Sequence, residues 1–366
     1  MISDKTKRQV FSYHLSLITY HLTDMNLFEL TRRLIDIPSV SGEEREVGRF
    51  LASHLGGLGY RVELQEVEAG RANVLATAGE PPRVVLSTHM DTVPPFIPSA
   101  EDETHIRGRG ACDAKGIIAA QATAAEALRA EGVTEVGLLF TVDEELGSLG
   151  ARAANEHPSA ARCEYLVNGE PTDNRLAVGS KGSLRLRLST EGRAAHSAYP
   201  ERGESAIEKM LDVLADVRAI HWPRDEFFGE TTCNIGTLGG GTRPNVIPAE
   251  ASAELQIRLV TPSAAVKKIL EEAAAGRARI EYLSAAEPVR THAVGGFGRE
   301  VVRFTTDIPY LPNWGAPLLV GPGSILDAHT DAERVSKREL EEAVGIYARL
   351  VRTLLAGKAS AERTGE

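Results

Sequence analysis

Cysteine is scarce in this chain: Cys112, Cys163 and Cys233 are the three present, and they stand far apart. Three scattered thiols cannot build a disulfide framework. They suit a reducing compartment, so a cytoplasmic location is expected. No apolar run approaches the roughly 18 residues that a bilayer-spanning helix needs. Basic residues are outnumbered, with 41 Lys and Arg against 51 Asp and Glu and a net charge of −10 at pH 7. Phosphate neutralisation requires a basic stripe, so nucleic acid is excluded as a partner, and the scattered cations argue against a membrane surface. Internal repeats and low-complexity tracts are missing. The glycine clusters Gly108-Arg109-Gly110 and Gly239-Gly240-Gly241 lack the Gly-x-x-x-x-Gly-Lys-Ser/Thr frame of a phosphate loop.

What is present is an ordinary soluble composition, 42% hydrophobic and 25% charged, in a chain of 366 residues that is long enough for two domains. Residues 1–24 combine a few basic residues with a weakly apolar stretch broken by His14 and His21. That is too interrupted for a signal peptide, and a disordered extension ahead of Met25 is expected. Leu27, Leu30, Leu34 and Ile35 then fall at helical spacing up to Pro38, and Ser41-Gly42-Glu43-Glu44 has the pattern of a capping box for a second helix.

Short apolar strands alternate with Ala-rich helices after that. Val84–Leu86, Val136–Val142 and Tyr165–Val167 are continuous apolar runs, and Lys115–Arg129 and Gly147–Asn155 are helical in pattern. This predicts an α/β layer built on a mostly parallel, buried sheet sandwiched by helices. From Gly179 the pattern changes. Leu184, Leu186 and Leu188 alternate with polar residues, and the order strand-helix-strand-strand-helix-strand over 179–286 predicts an inserted ferredoxin-like α+β domain. The α/β pattern resumes at Pro317–Val320 and ends in a helix opened by a second capping box, Ser336-Lys337-Arg338-Glu339. The catalytic domain is thus expected over 25–178 and 287–356, with a disordered tail from 357 to 366. The return linker Ala286–Arg303 is short and Gly-rich, which leaves open what covers that face of the sheet.

In an open parallel sheet, ligands bind beyond the carboxyl ends of the strands. The residues found there carry chemistry. Val84–Leu86 is followed by Ser87-Thr88-His89-Met90-Asp91, Val136–Val142 by Asp143-Glu144-Glu145, Tyr165–Val167 by Asn168-Gly169-Glu170, and Pro317–Val320 by Gly321-Pro322-Gly323-Ser324 and then His329. Asp113 precedes the helix at Lys115. Singly, each of these segments has a plain reading as a turn, a helix cap or a solvated acidic run. Five of them on one rim would repel one another without cations, and nitrogen and oxygen donors lacking thiolate fit Zn2+, with Co2+ or Mn2+ also suited. Such a set can hold two ions bridged by one carboxylate.

These motifs, in order and spacing from Met25 to Leu355, resemble the zinc-dependent aminoacylase and metallopeptidase family that contains acetylornithine deacetylase, succinyl-diaminopimelate desuccinylase and carboxypeptidase G. The loop Gly321–Ser324 with His329 is most similar to the acetylornithine deacetylase branch. The resemblance implies that Asp113 bridges two zinc ions, with His89 and Glu170 completing one site and Glu145 and His329 the other. Asp91 would orient His89, Glu144 would serve as general base for hydroxide on the metal pair, and a cis peptide would follow Asp113. In the inserted lid and dimerisation domain, His196 would help stabilise the oxyanion from the partner subunit of a homodimer. Asn245 would contact the substrate, and Arg258 would pair with a substrate carboxylate. The implied activity is hydrolysis of the amide of an N-acyl amino acid. A di- or tripeptidase, or an exopeptidase like carboxypeptidase G, is the alternative on the same metal site.

Overall fold

The computed structural model describes residues 25–79 and 81–362, and the extension expected over residues 1–24 lies outside them. Among the described residues no helix is long and apolar enough to cross a membrane. The chain divides into two compact units.

The first unit comprises the described residues up to Val178, Thr291–Glu300 and the chain from Tyr310 onward. Helix α1 (Leu27–Ile35) opens on a capping box: Asn26 accepts from the backbone of Phe28 and Glu29, and Glu29 returns a bond to the Asn26 N–H. Helix α2 (Arg45–Gly57) does not begin as the sequence predicts. Its N-cap is Glu44, with no side-chain cap bond. The Ser41 hydroxyl is donated instead to Asp91 Oδ2 at 2.6 Å, and Glu44 pairs with Arg71. Charged long-range partners have displaced a local cap, because a hydrogen bond to an ionised group is worth about twice a neutral one.

Strands β1 (Arg61–Glu68), β2 (Arg71–Thr77), β3 (Val84–His89), β4 (Val136–Thr141), β5 (Tyr165–Asn168), β6 (Leu176–Ser180) and β7 (Ala316–Leu319) form one sheet in the order β1-β2-β4-β3-β5-β7-β6. The central four, β4, β3, β5 and β7, run parallel, and antiparallel strands flank them. Side-chain alternation sends successive residues to opposite faces. Val84, Leu86, Leu138, Phe140, Val167 and Leu318 therefore join one core beneath helices α1, α2, α3 (Lys115–Ala130) and α5 (Lys337–Glu362). Val85, Leu139 and Leu166 join a second core on the other face with Ala151 and Ala154 of helix α4 (Leu149–Asn155) and the fully buried Trp314, whose Nε1 donates to the Ala154 carbonyl at 2.9 Å. The continuous apolar strands are continuous because both faces are covered.

The Ser336 hydroxyl accepts from Glu339 N at 3.4 Å at the start of α5, and that helix runs past Gly357 to Glu362 where a disordered tail is predicted. Ala359 and Ala361, strong helix formers, lie in the extension. The Gly-rich return linker makes short extended contacts. Gly298 accepts from Leu176 N, Thr291 N donates to the Val178 carbonyl, and Val294 and Phe297 pack into the first core, with Arg349 stacked over the Phe297 ring.

The second unit is Gly179–Arg290 with Val301–Pro309. Its strands Gly182–Glu191, Thr232–Gly240, Glu250–Leu259 and Arg279–Ala286 pair antiparallel, with Glu250–Leu259 and Gly182–Glu191 central, Thr232–Gly240 at one edge and Arg279–Ala286 at the other. Leu184, Leu186, Leu188, Ala253, Leu255 and Ile257 face helices Ala206–Ala219 and Ser263–Ala274. The intervening residues Arg185, Arg187 and Glu254 form ion pairs on the wet face. This is the ferredoxin-like order that the sequence pattern predicts.

Candidate metal centre

The site is assembled where the parallel strands of the first unit end. His89 closes β3 and is 1% exposed. Its Nδ1 lies 2.9 Å from the carbonyl oxygen of Asp91 and 3.5 Å from Asp91 Oδ1. A carbonyl can only accept, so Nδ1 carries a proton, and Nε2 is turned inward, 2.9 Å from Asp113 Oδ1. Burial alone would lower the His89 pKa, but the bonds to Asp113 and Asp91 hold it well above its ordinary value.

Asp91 does more than orient His89. It is fully buried, and besides the Ser41 hydroxyl its carboxylate accepts the backbone N–H of Glu144 at 3.0 Å and of Glu145 at 3.1 Å. One side chain therefore fixes the peptide that carries both glutamates. The preceding residue, Asp143, takes a left-handed φ of 70° that suits few L-residues. Its carboxylate is held by Arg71 Nη2 at 2.8 Å and its carbonyl accepts from Gly147 and Ser148. Of the acidic triplet, Asp143 thus shapes the turn, and the Glu145 side chain reaches His329.

Asp113 sits in the loop before α3, followed by a cis peptide to Ala114. Besides His89 it meets His329, whose Nε2 lies 3.4 Å from Asp113 Oδ2 and 2.9 Å from Glu145 Oε1. His329 also has a left-handed φ, 63°. Its bonds to Asp113 and Glu145 push its pKa up to about 10, while the two imidazoles hold the Asp113 carboxyl below the carboxylate range despite its burial. Glu145 moves the other way: burial and then the neighbouring Asp113 charge raise it, offset by His329. Glu170 follows β5, is 4% exposed, and lies close enough for its charge to raise the His89 pKa.

Ligand atoms of His89, Asp113 and Glu145 all lie within 4.8 Å of one another. His329 joins them through its contacts to Asp113 and Glu145. Buried carboxylates crowded against imidazole nitrogens suit a divalent cation, and the nitrogen and oxygen donor set fits zinc. Cys112, next to Asp113, is buried, and burial pushes its thiol pKa well above the usual range.

His196, Asn245 and Arg258 lie in the second unit. His196 Nδ1 accepts from Ala198 N, its ring meets Tyr199 edge-on, and Ser197 N donates to the Asn245 carbonyl at 3.0 Å, so these two residues are neighbours. Arg258 is half-buried on its strand and donates to the Thr305 hydroxyl at 3.3 Å.

Several contributors escaped the sequence reading. Ser41, Arg71 and Glu44 brace the rim from remote segments. Lys115 is buried, donates to the Ile37 carbonyl at 2.7 Å, and is lowered by burial to about 7. Glu333, four residues beyond His329, is buried against the Asp113 loop. The only sequence signal was proximity to a motif.

A mostly parallel sheet with a buried imidazole–carboxylate cluster at its carboxyl ends defines a metal-dependent hydrolase of the α/β class. The family model for peptidase family M20/M25/M40 matches residues 85–353, and the chain belongs to that family. A peptidase M20 domain-containing protein of Schizosaccharomyces pombe is 37% identical over 89% of this chain and 84% of its own length. An Aspergillus terreus protein called "Probable carboxypeptidase" is 36% identical over 90% of this chain and 87% of its own. The crystal structure of an M20 family metallo-carboxypeptidase from Sulfolobus solfataricus shares the fold with a TM-score of 0.74 at 16% identity, covering 88% of this chain and 98% of that one. The nearer likeness to acetylornithine deacetylase that the Gly321–Ser324 loop suggests gains no support from these relatives.

Proposed function

We propose that this protein is a two-zinc exopeptidase that hydrolyses the terminal amide of short peptides bearing a free carboxylate. One observation carries the reading: Asp113 meets His89 on one carboxylate oxygen and His329 on the other, the disposition of a bridging ligand. The names of the relatives favour a carboxypeptidase over a deacetylase.

In this reading His89, Asp113 and Glu170 hold one ion and Asp113, Glu145 and His329 the other. Bound, the ions would supply Lewis acidity and lower the pKa of water at the site. Glu144, its backbone fixed by Asp91, takes the proton from the attacking water and returns it to the departing amine. Asn245 and Arg258 bind the substrate, the guanidinium fork matching a terminal carboxylate. His196 stabilises the oxyanion across a homodimer formed through the second unit. Support for the dimer is the strand Thr232–Gly240, which ends its sheet and is largely exposed. The three free cysteines support a cytoplasmic setting.

The deacylase reading is the second one, and it rests on the resemblance of the Gly321–Ser324 loop with His329. A hydrolysis panel on zinc-loaded protein separates the two: di- and tripeptides, the same peptides amidated at the C-terminus, and N-acetyl and N-succinyl amino acids. Cleavage of peptides that is lost on amidation is expected. Turnover of the N-acyl amino acids alone would replace the exopeptidase reading, and a fully loaded protein inert toward the whole panel would overturn both.

A further inference from the structure

We infer that Glu333 is a positioning residue for the metal centre, a buried clamp that sets Asp113 relative to His329; the inference rests on the metal-site reading above. The Glu333 side chain is wholly buried, and one of its oxygens serves three backbone donors. Oε1 accepts from Gly110 N at 2.9 Å, Cys112 N at 3.3 Å and Asp113 N at 3.3 Å. Oε2 takes Arg109 Nη1 at 2.6 Å, and the same guanidinium nitrogen donates to the Thr330 carbonyl at 3.1 Å. The main chain is tied as well, through Gly108 N to the Glu333 carbonyl and Glu333 N to the Thr330 carbonyl.

These bonds join two segments that lie 220 residues apart in sequence. One ends in Asp113, and the other begins at His329, four residues before the clamp. Curling three amides of the loop toward one oxygen requires unusual backbone, and Gly108 and Gly110 supply it with φ of +130° and +88°. A Cβ on Gly108 would lie 2.7 Å from Ile35 Cγ2, and one on Gly110 2.8 Å from Lys115 Cδ, so the loop is also packed from behind. Asp113 makes both its imidazole contacts with its side chain, and its own N–H is held by Glu333. Its carboxylate therefore has its root fixed before any ion arrives. Charge points the same way. A carboxylate facing converging N–H groups keeps those dipoles from attracting the Asp113 carboxylate back onto its own loop, and leaves both Asp113 oxygens to the site.

The test is zinc affinity, read by chelator competition, alongside thermal unfolding of the metal-free protein for the wild type, Glu333→Gln and Arg109→Met. Glu333→Gln presents an NH2 group where Arg109 or the loop amides need an acceptor. Loss of a residue that holds a ligand in place typically weakens metal binding about 10–100-fold, and that loss is expected here, with a smaller loss for Arg109→Met. Zinc affinity within twofold of wild type in Glu333→Gln, whatever the change in unfolding temperature, would overturn the clamp and leave Glu333 a structural residue. Should neither variant fold, amide exchange of the wild-type protein decides. Protection of the Cys112 and Asp113 amides without metal is expected, and free exchange would overturn the proposal. Wild-type protein that binds no zinc would instead overturn the metal-site reading itself, so the two failures are told apart.

Discussion

Asp91 holds His89 through its main chain and its side chain together: the carbonyl oxygen is 2.9 Å from Nδ1 and a carboxylate oxygen 3.5 Å. The same carboxylate has a second task, gripping the amides of Glu144 and Glu145.

It follows that Asp91→Ala should uncouple the two tasks. The carbonyl remains to fix the imidazole, so zinc at His89 is retained, while two part-buried amides lose their acceptor, toward the low end of a cost of about 1–3 kcal/mol each. Turnover is expected to fall by about 10–100-fold, the scale seen when a supporting partner of a metal site is removed. Metal analysis together with kcat checks this, and an unchanged kcat would refute it.

Glu144→Gln keeps the size of the side chain and the Asp91–amide bond but removes the proton acceptor. General acid–base groups contribute about 10²–10⁴-fold, so kcat should drop on that scale with KM and zinc content nearly unchanged. Wild-type turnover in this variant would remove Glu144 from the mechanism.

Chelation should act in two phases. His329 is 48% exposed in its side chain and His89 is 1% exposed. The ion shared by Glu145 and His329 should leave first and that beneath His89 later, as read by zinc release to a coloured chelator. Because a ligand at 100 times its Kd stabilises the fold by about 2.7 kcal/mol, full depletion should also lower Tm. A single release phase of two ions would count against the asymmetry.

Away from the site, Trp314→Ala removes a fully buried indole and its bond to the Ala154 carbonyl. Large aromatic truncations in a core cost about 3–5 kcal/mol, and denaturant unfolding should show a loss of that size with zinc affinity unaltered. A loss under 1 kcal/mol would mean that the second core tolerates the cavity.

What could be read in the sequence, and what could not, follows from the range of the interactions. Val84, Val85 and Leu86 declare a doubly covered strand because burial on both faces leaves no polar position. His89, Glu145 and Glu170 stand out because titratable residues at the ends of such strands point to a rim, and His329 follows the last of them within one loop. Leu184, Leu186 and Leu188 declare a half-wet strand just as openly. Ser41 misled because the Ser-x-x-Glu pattern specifies a local bond, whereas the hydroxyl found a carboxylate 50 residues away. Glu333 was invisible for a related reason. Its partners are mainly backbone amides, which every residue type supplies, so no pattern marks them. The linker at 286–303 was legible as short but not as a closing edge, since its contacts to Leu176 and Val178 depend on where the chain returns.

The interruption of the first unit by the second has a consequence for biosynthesis. His89, Asp113, Glu145 and Glu170 leave the ribosome before residues 179–290, and His329 only after them. A nascent chain stalled at residue 300 would own the first imidazole and the carboxylates but lack the closing histidine. On the metal-site reading, such a chain should retain zinc poorly and the full-length chain well.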